Sequence, residues 1–124
     1  MSYVAMVTNR FDEVTRFYGE LLGFPVVDQW DRSNARGQRF DAGGMRLEII
    51  DNQREKNPRE LGETADKVHI VVEVDNIDDA RTRIRVDTPP VQDTSWGSRT
   101  FRIMDPDGIP VTFLQWQETQ KAAS

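Results

Sequence analysis

His69 is the only imidazole in the sequence and cysteine is absent, so disulfides and thiolate metal sites are excluded. As a metal ligand, His69 needs a second ring or two carboxylates beside it. The pattern offers one carboxylate: Glu48 lies between Leu47 and Ile49 and faces away from the helix-packed side of its strand. Two strong donors fall short of the roughly three, with open positions, that a catalytic divalent site takes. The plainer readings make His69 an inward side chain bonded to a neighbour and Glu48 the partner of Arg46, two residues along the same strand face. Glu48 could equally anchor a cationic or hydrogen-bonding group of a ligand. Trp30, Trp96 and Trp116 supply rings that stack on planar or cationic molecules, or fill core and a subunit interface. Trp116 shares a strand face with Thr112 and Leu114. Arg102 alternates with Phe101 and Ile103, and either clamps an anionic group from a groove or sits on a solvated face. No phosphate loop, dinucleotide fingerprint or serine-centred nucleophile motif is present, and Gly43-Gly44 reads as a turn.

The elements that must position these groups follow a repeated order. Tyr3–Thr8 is a short apolar strand. Asn9 is placed to cap a helix with Asp12 three residues on, and Phe11, Val14, Phe17, Tyr18, Leu21 and Leu22 form its apolar stripe. Gly23 ends that helix and Phe24 folds back on it. A strand at Pro25–Trp30, a polar turn over Asp31–Gly37, and a hairpin of Gln38–Asp41 with Met45–Ile50 follow. Residues 51–66 have the composition of an exposed linker. Lys67–Val74 is the strongest β signal; Asp75 then caps a short helix with Ile77, Ala80 and Ile84 buried. Val86–Trp96, broken by Pro89-Pro90, holds an irregular or edge strand, and Gln117–Ser124 is a frayed tail. The closing hairpin turns at Asp105-Pro106-Asp107-Gly108, where Pro106 presets one turn dihedral and Gly108 accepts another. Tyr3 aligns with His69, Asn9 with Asp75, Phe11 with Ile77, Asp41 with Asp105, Gly44 with Gly108, and Glu48 with Thr112. The chain is therefore α+β, two βαβββ modules (about 1–50 and 67–117) in one domain, each burying one sheet face under its helix and leaving the other to meet its twin.

Bulk properties narrow the partners. A 124-residue chain with 37% apolar and 30% charged residues supports a modest core and gains from sharing surface with a second copy. The net charge of −5 argues against nucleic acid and is compatible with cationic small molecules. No stretch approaches the roughly 18 apolar residues of a membrane-spanning helix, and no apolar run of signal length opens the chain, so the cytoplasm is the expected address.

The helix ending Phe17-Tyr18, then Leu22-Gly23-Phe24, together with the Asp105-Pro106-Asp107-Gly108 hairpin, resembles the glyoxalase, bleomycin-resistance and extradiol-dioxygenase superfamily, the vicinal oxygen chelate proteins. The resemblance covers nearly the whole chain and implies a curved mixed sheet around a groove, with modules paired within or between chains; a homodimer is expected. It also implies a divalent metal (Ni, Mn, Zn or Fe) in the enzymes, held from the first and last strands of each module. Those positions fall on Tyr3, Glu48, His69 and Thr112, where the metal enzymes usually place His for Tyr3 and Glu for Thr112. A neutral hydroxyl does not replace a carboxylate, and a phenol must lose its proton to bind well. The site reads as degraded, with Glu48 and His69 the only strong donors, and no cofactor is expected. The run Trp96-Gly97-Ser98-Arg99-Thr100-Phe101 resembles the antibiotic-binding members, which lead WG-x-R-x-F into DP-x-G. The leading expectation is non-catalytic sequestration of an aromatic or cationic organic ligand lined by Tyr3, Glu48, His69, Trp96, Arg102, Thr112 and Trp116. The alternative is a metal-dependent lyase, isomerase or dioxygenase, in which Glu48 or Tyr3 would move a proton.

Overall fold

The computed structural model describes residues 2–62 and 68–117. Strand β1 (Tyr3–Thr8) leads into helix α1 (Phe11–Arg16), which widens into a π-type turn over Phe17–Leu21, where the Leu22 N–H reaches back to the Phe17 carbonyl at 2.9 Å. Gly23 (φ 76°) stops it in the left-handed region, and the Phe24 N–H closes on the Tyr18 carbonyl at 3.0 Å. Next come β2 (Val26–Arg32), β3 (Ala35–Ala42), β4 (Met45–Asp51) and a single 3-10 turn at Asn52–Arg54. The second half runs β5 (Ile70–Glu73), α2 (Ile77–Arg83), β6 (Gln92–Asp93), β7 (Ser98–Met104) and β8 (Pro110–Trp116).

These strands build two four-stranded mixed sheets, ordered β1-β4-β3-β2 and β5-β8-β7-β6, so the α+β duplicated fold is observed. Register makes the duplication concrete. Val4 pairs with Leu47 and Ala5 with Glu48, while Ile70 pairs with Val111 and Val71 with Thr112. The matched positions Glu48 and Thr112 therefore have matched neighbours.

One core serves both sheets. Leu47, Ile49 and Phe40 from the first join Val111, Phe113, Phe101 and Ile103 from the second, with Val14, Phe17, Tyr18 and Ile77 from the helices. Phe24 packs on Phe113 with ring centroids 6.3 Å apart. The Tyr18 hydroxyl donates to Asp105 Oδ2 at 2.6 Å, joining α1's turn to the β7–β8 loop. Burial, then the Asp105 charge, pushes the Tyr18 pKa far above the ordinary tyrosine value. Asp105 Oδ1 also accepts from the Asp107 and Ile109 N–H groups, at 2.8 and 2.9 Å. Burial nonetheless raises the Asp105 pKa.

Several local expectations are corrected. Asn9 does not cap α1: its Oδ1 accepts from Asn52, and Thr8 Oγ1 takes the Arg10 N–H at 2.9 Å. The cap of α2 is Asn76, whose Oδ1 accepts from the Asp79 N–H at 3.1 Å, rather than Asp75. The polar stretch Asp31–Gly37 is mostly strand, turning only at Ser33-Asn34. The two hairpin loops also differ by a residue. Ala42 pairs with Met45 across Gly43-Gly44, whereas Asp105 pairs with Ile109 across Pro106-Asp107-Gly108. By position, then, Asp105 matches Ala42 rather than Asp41. The strand expected over Lys67–Val74 is confined to Ile70–Glu73 within the described residues; Lys67 and the tail beyond Gln117 lie outside them.

Candidate functional site

Strand alternation divides the side chains cleanly. Leu47, Ile49, Val111 and Phe113 point into the shared core, so Glu48 and Thr112 lie on the reverse, open faces of their sheets. Thr112 borders a hollow with Pro89, Pro90, Gln92 and Arg102, and Glu48 is not among the residues that line it. Each open face holds its own cluster.

On the first sheet the centre is Arg39, directly across β3–β4 from Glu48. Its Nη2 donates to Glu48 Oε1 at 2.7 Å, and its Nη1 lies 3.3 Å from Asp28 Oδ2. Arg39 takes the place expected for Arg46 as the partner of Glu48, because residues directly across a ladder are closer than those two apart along a strand. The guanidinium also lies 4.5 Å from the Tyr3 ring centroid and 5.5 Å from that of Trp30. Trp30 lies flat because its strand neighbour is Gly37, where a Cβ would come within 2.2 Å of the indole. The hydrogen bond to Glu48 holds the Arg39 pKa above its ordinary value.

On the second sheet the cluster is His69, Thr112 and Arg102. His69 Nε2 lies 2.6 Å from Thr112 Oγ1, and Arg102 Nε donates to the same oxygen at 3.3 Å. Desolvation of the ring, then the Arg102 charge, lowers the His69 pKa, so the imidazole is neutral at pH 7. Thr112, accepting from Arg102, is free to donate its proton to the neutral Nε2.

Trp96 and Trp116 form a third group. Their rings meet edge to face at 5.5 Å, and Trp116 Nε1 donates to Glu73 Oε1 at 2.8 Å. Trp116 borders a hollow of about 630 Å³ with Glu73, Asp75, Asn76 and Asp79, away from Thr112 and His69. The seven side chains singled out in the sequence thus fall into three places: Tyr3 with Glu48, His69 with Thr112 and Arg102, and Trp96 with Trp116. Sequence reasoning missed Arg39, the residue that organises the first cluster. The repeat carried the signal, since Arg39 faces Glu48 as Arg102 faces Thr112.

The four positions that would hold a divalent ion do not fit one. Glu48 is neutralised by Arg39, Thr112 accepts from Arg102, and Tyr3 lies under a guanidinium. A cation placed beside Glu48 would meet the Arg39 charge, and one placed beside Thr112 the Arg102 charge. Among the described residues no group of three or more His, Cys, Asp or Glu side chains could hold a metal ion. Nor is any described helix long and apolar enough to cross a membrane.

Comparison with known proteins places this geometry. No curated protein matches the chain. Among solved structures, a glyoxalase/bleomycin resistance protein/dioxygenase from Nocardioides is 22% identical, with 94% of this chain and 83% of that one covered at a TM-score of 0.71. Lactoylglutathione lyase from Agrobacterium tumefaciens is 20% identical, covering 93% and 92% at a TM-score of 0.66. The genomically encoded fosfomycin resistance protein FosX from Listeria monocytogenes is 14% identical, covering 98% and 96% at 0.65. At these identities the likeness is one of fold. The family model for the Glyoxalase/Bleomycin resistance protein/Dioxygenase superfamily, however, matches residues 1–113, and with the paired modules and their matched ladders it leads to one conclusion: the chain belongs to that superfamily.

Proposed function

We propose that the protein is a cytoplasmic homodimer that binds a small organic ligand without catalysis, in a groove where the first module of one copy meets the second module of another. The observation that carries this reading is the state of the four family metal positions: two guanidiniums, Arg39 and Arg102, engage the oxygens a metal would need. Tyr3 and Trp30 offer ring faces on one open side, which favours an aromatic ligand body. A preference for cationic ligands loses the support of Glu48, because that carboxylate is already paired; the net charge of −5 and the acidic hollow beside Trp116 still favour it.

Melting curves of untagged protein with Ni, Mn, Zn and Fe(II) test this. A metal at 100 times its dissociation constant adds about 2.7 kcal/mol of stability, a shift on the order of 10 °C. Flat curves are expected with every ion, together with tryptophan quenching by an aromatic ligand. A large shift that His69→Ala abolishes would replace the binding reading with a metal-dependent lyase, isomerase or dioxygenase.

A further inference from the structure

The duplication supplies an internal comparison. Arg39 faces Glu48 across β3–β4, and Arg102 faces Thr112 across β7–β8. The first guanidinium is held by a buried carboxylate at 2.7 Å, with Asp28 at 3.3 Å on its other side. At the second, a threonine hydroxyl stands where the carboxylate would be and engages only Nε. Among the described residues no carboxylate lies within ion-pair distance of Arg102. In place of the missing group there is space. Pro89, Pro90, Gln92 and Thr100 wall a hollow of about 320 Å³ onto which Arg102 and Thr112 open, and His69 stands on the far side of Thr112 at 2.6 Å.

We propose that this hollow seats the carboxylate of a small organic acid, in the position the Glu48 carboxylate holds in the first module. The proposal rests on the ligand-binding reading above and names the polar end of the ligand. The planar fork of Arg102 presents parallel N–H donors suited to a carboxylate, and a charge-assisted pair there is stronger than a neutral one. The proline rings give the ligand's apolar body a wall. The first module shows the pair complete and closed within the chain, while the second shows the same frame with the acid left to come from outside.

His69 is the sole histidine, so its ring resonances in untagged protein report on this site alone. Sodium benzoate should move them saturably with millimolar affinity, and benzylammonium, of similar size and opposite charge, should not. Arg102→Gln should weaken benzoate about tenfold or more. Thr112→Glu rebuilds the first module's internal pair in the second. It should abolish benzoate binding while keeping the melting temperature at or above that of the parent protein. Resonances unmoved by benzoate, or benzoate binding that survives both variants, overturn the proposal. If benzylammonium quenches tryptophan fluorescence while benzoate moves nothing, the acid site falls and the ligand-binding reading stands. Silence with both probes overturns the acid site and leaves that reading to the metal and aromatic-ligand titrations.

Discussion

Tyr18 and Asp105 meet 2.6 Å apart in the interior, and a phenol fully shielded from water there keeps its proton. The unfolded chain releases that proton near the ordinary tyrosine value of about 10, so above it the folded state binds more protons than the unfolded one. Stability then falls as pH rises, by up to about 1.4 kcal/mol per pH unit from this group. Tyr18→Phe should therefore flatten the alkaline limb. At neutral pH it should cost about 1–3 kcal/mol, because Asp105 loses a donor. Urea midpoints from pH 7 to the alkaline limit check both; an unchanged alkaline limb would mean that Tyr18 is not the titrating group. The residue scale also shows what the sequence could reveal of the site. The positions of Tyr3, Glu48, His69 and Thr112 within their modules were legible, because strand period and repeat alignment fix them. The centre of the first cluster was not. The value of Arg39 depends on lying across a ladder from Glu48, a relation no single strand displays.

Among the elements, the order of strands and helices was readable from apolar periodicity, because burial selects for it. Periodicity failed where burial is absent. β2 is exposed along most of its length and carries Asp, Gln and Arg, so it pairs with β3 through the backbone and its continuation through Asp31-Arg32 looks like a turn. Helix capping failed for another reason: Asp75 and Asn76 are both competent caps, and only the geometry at the end of β5 decides between them. Asn76→Ala should cost about 1 kcal/mol, whereas Asp75→Ala should stay within about 0.5 kcal/mol of the parent. Denaturant midpoints of the two variants decide the matter, and equal effects would remove Asn76 as the cap.

At the scale of the molecule, both modules leave their first strand, β1 or β5, at the border of its sheet. Val4, Val71 and Tyr3 on those strands are exposed, as are Val26 and Met104. Open strand borders with apolar side chains invite pairing with another chain. Size-exclusion chromatography with light scattering should therefore give twice the 14.3 kDa chain mass at micromolar concentration, with an interface of more than about 1,000 Å². A particle of single-chain mass would refute the shared groove. The single core running between the sheets has a consequence for this assembly. It makes the chain a two-ended connector, with unlike ends joined through Phe24–Phe113 and Tyr18–Asp105. When each end meets the other copy's unlike end reciprocally, the pair closes on a two-fold axis; a contact that is not reciprocated is heterologous and closes into a larger ring or runs on as a filament. The angle set at that internal joint chooses between them.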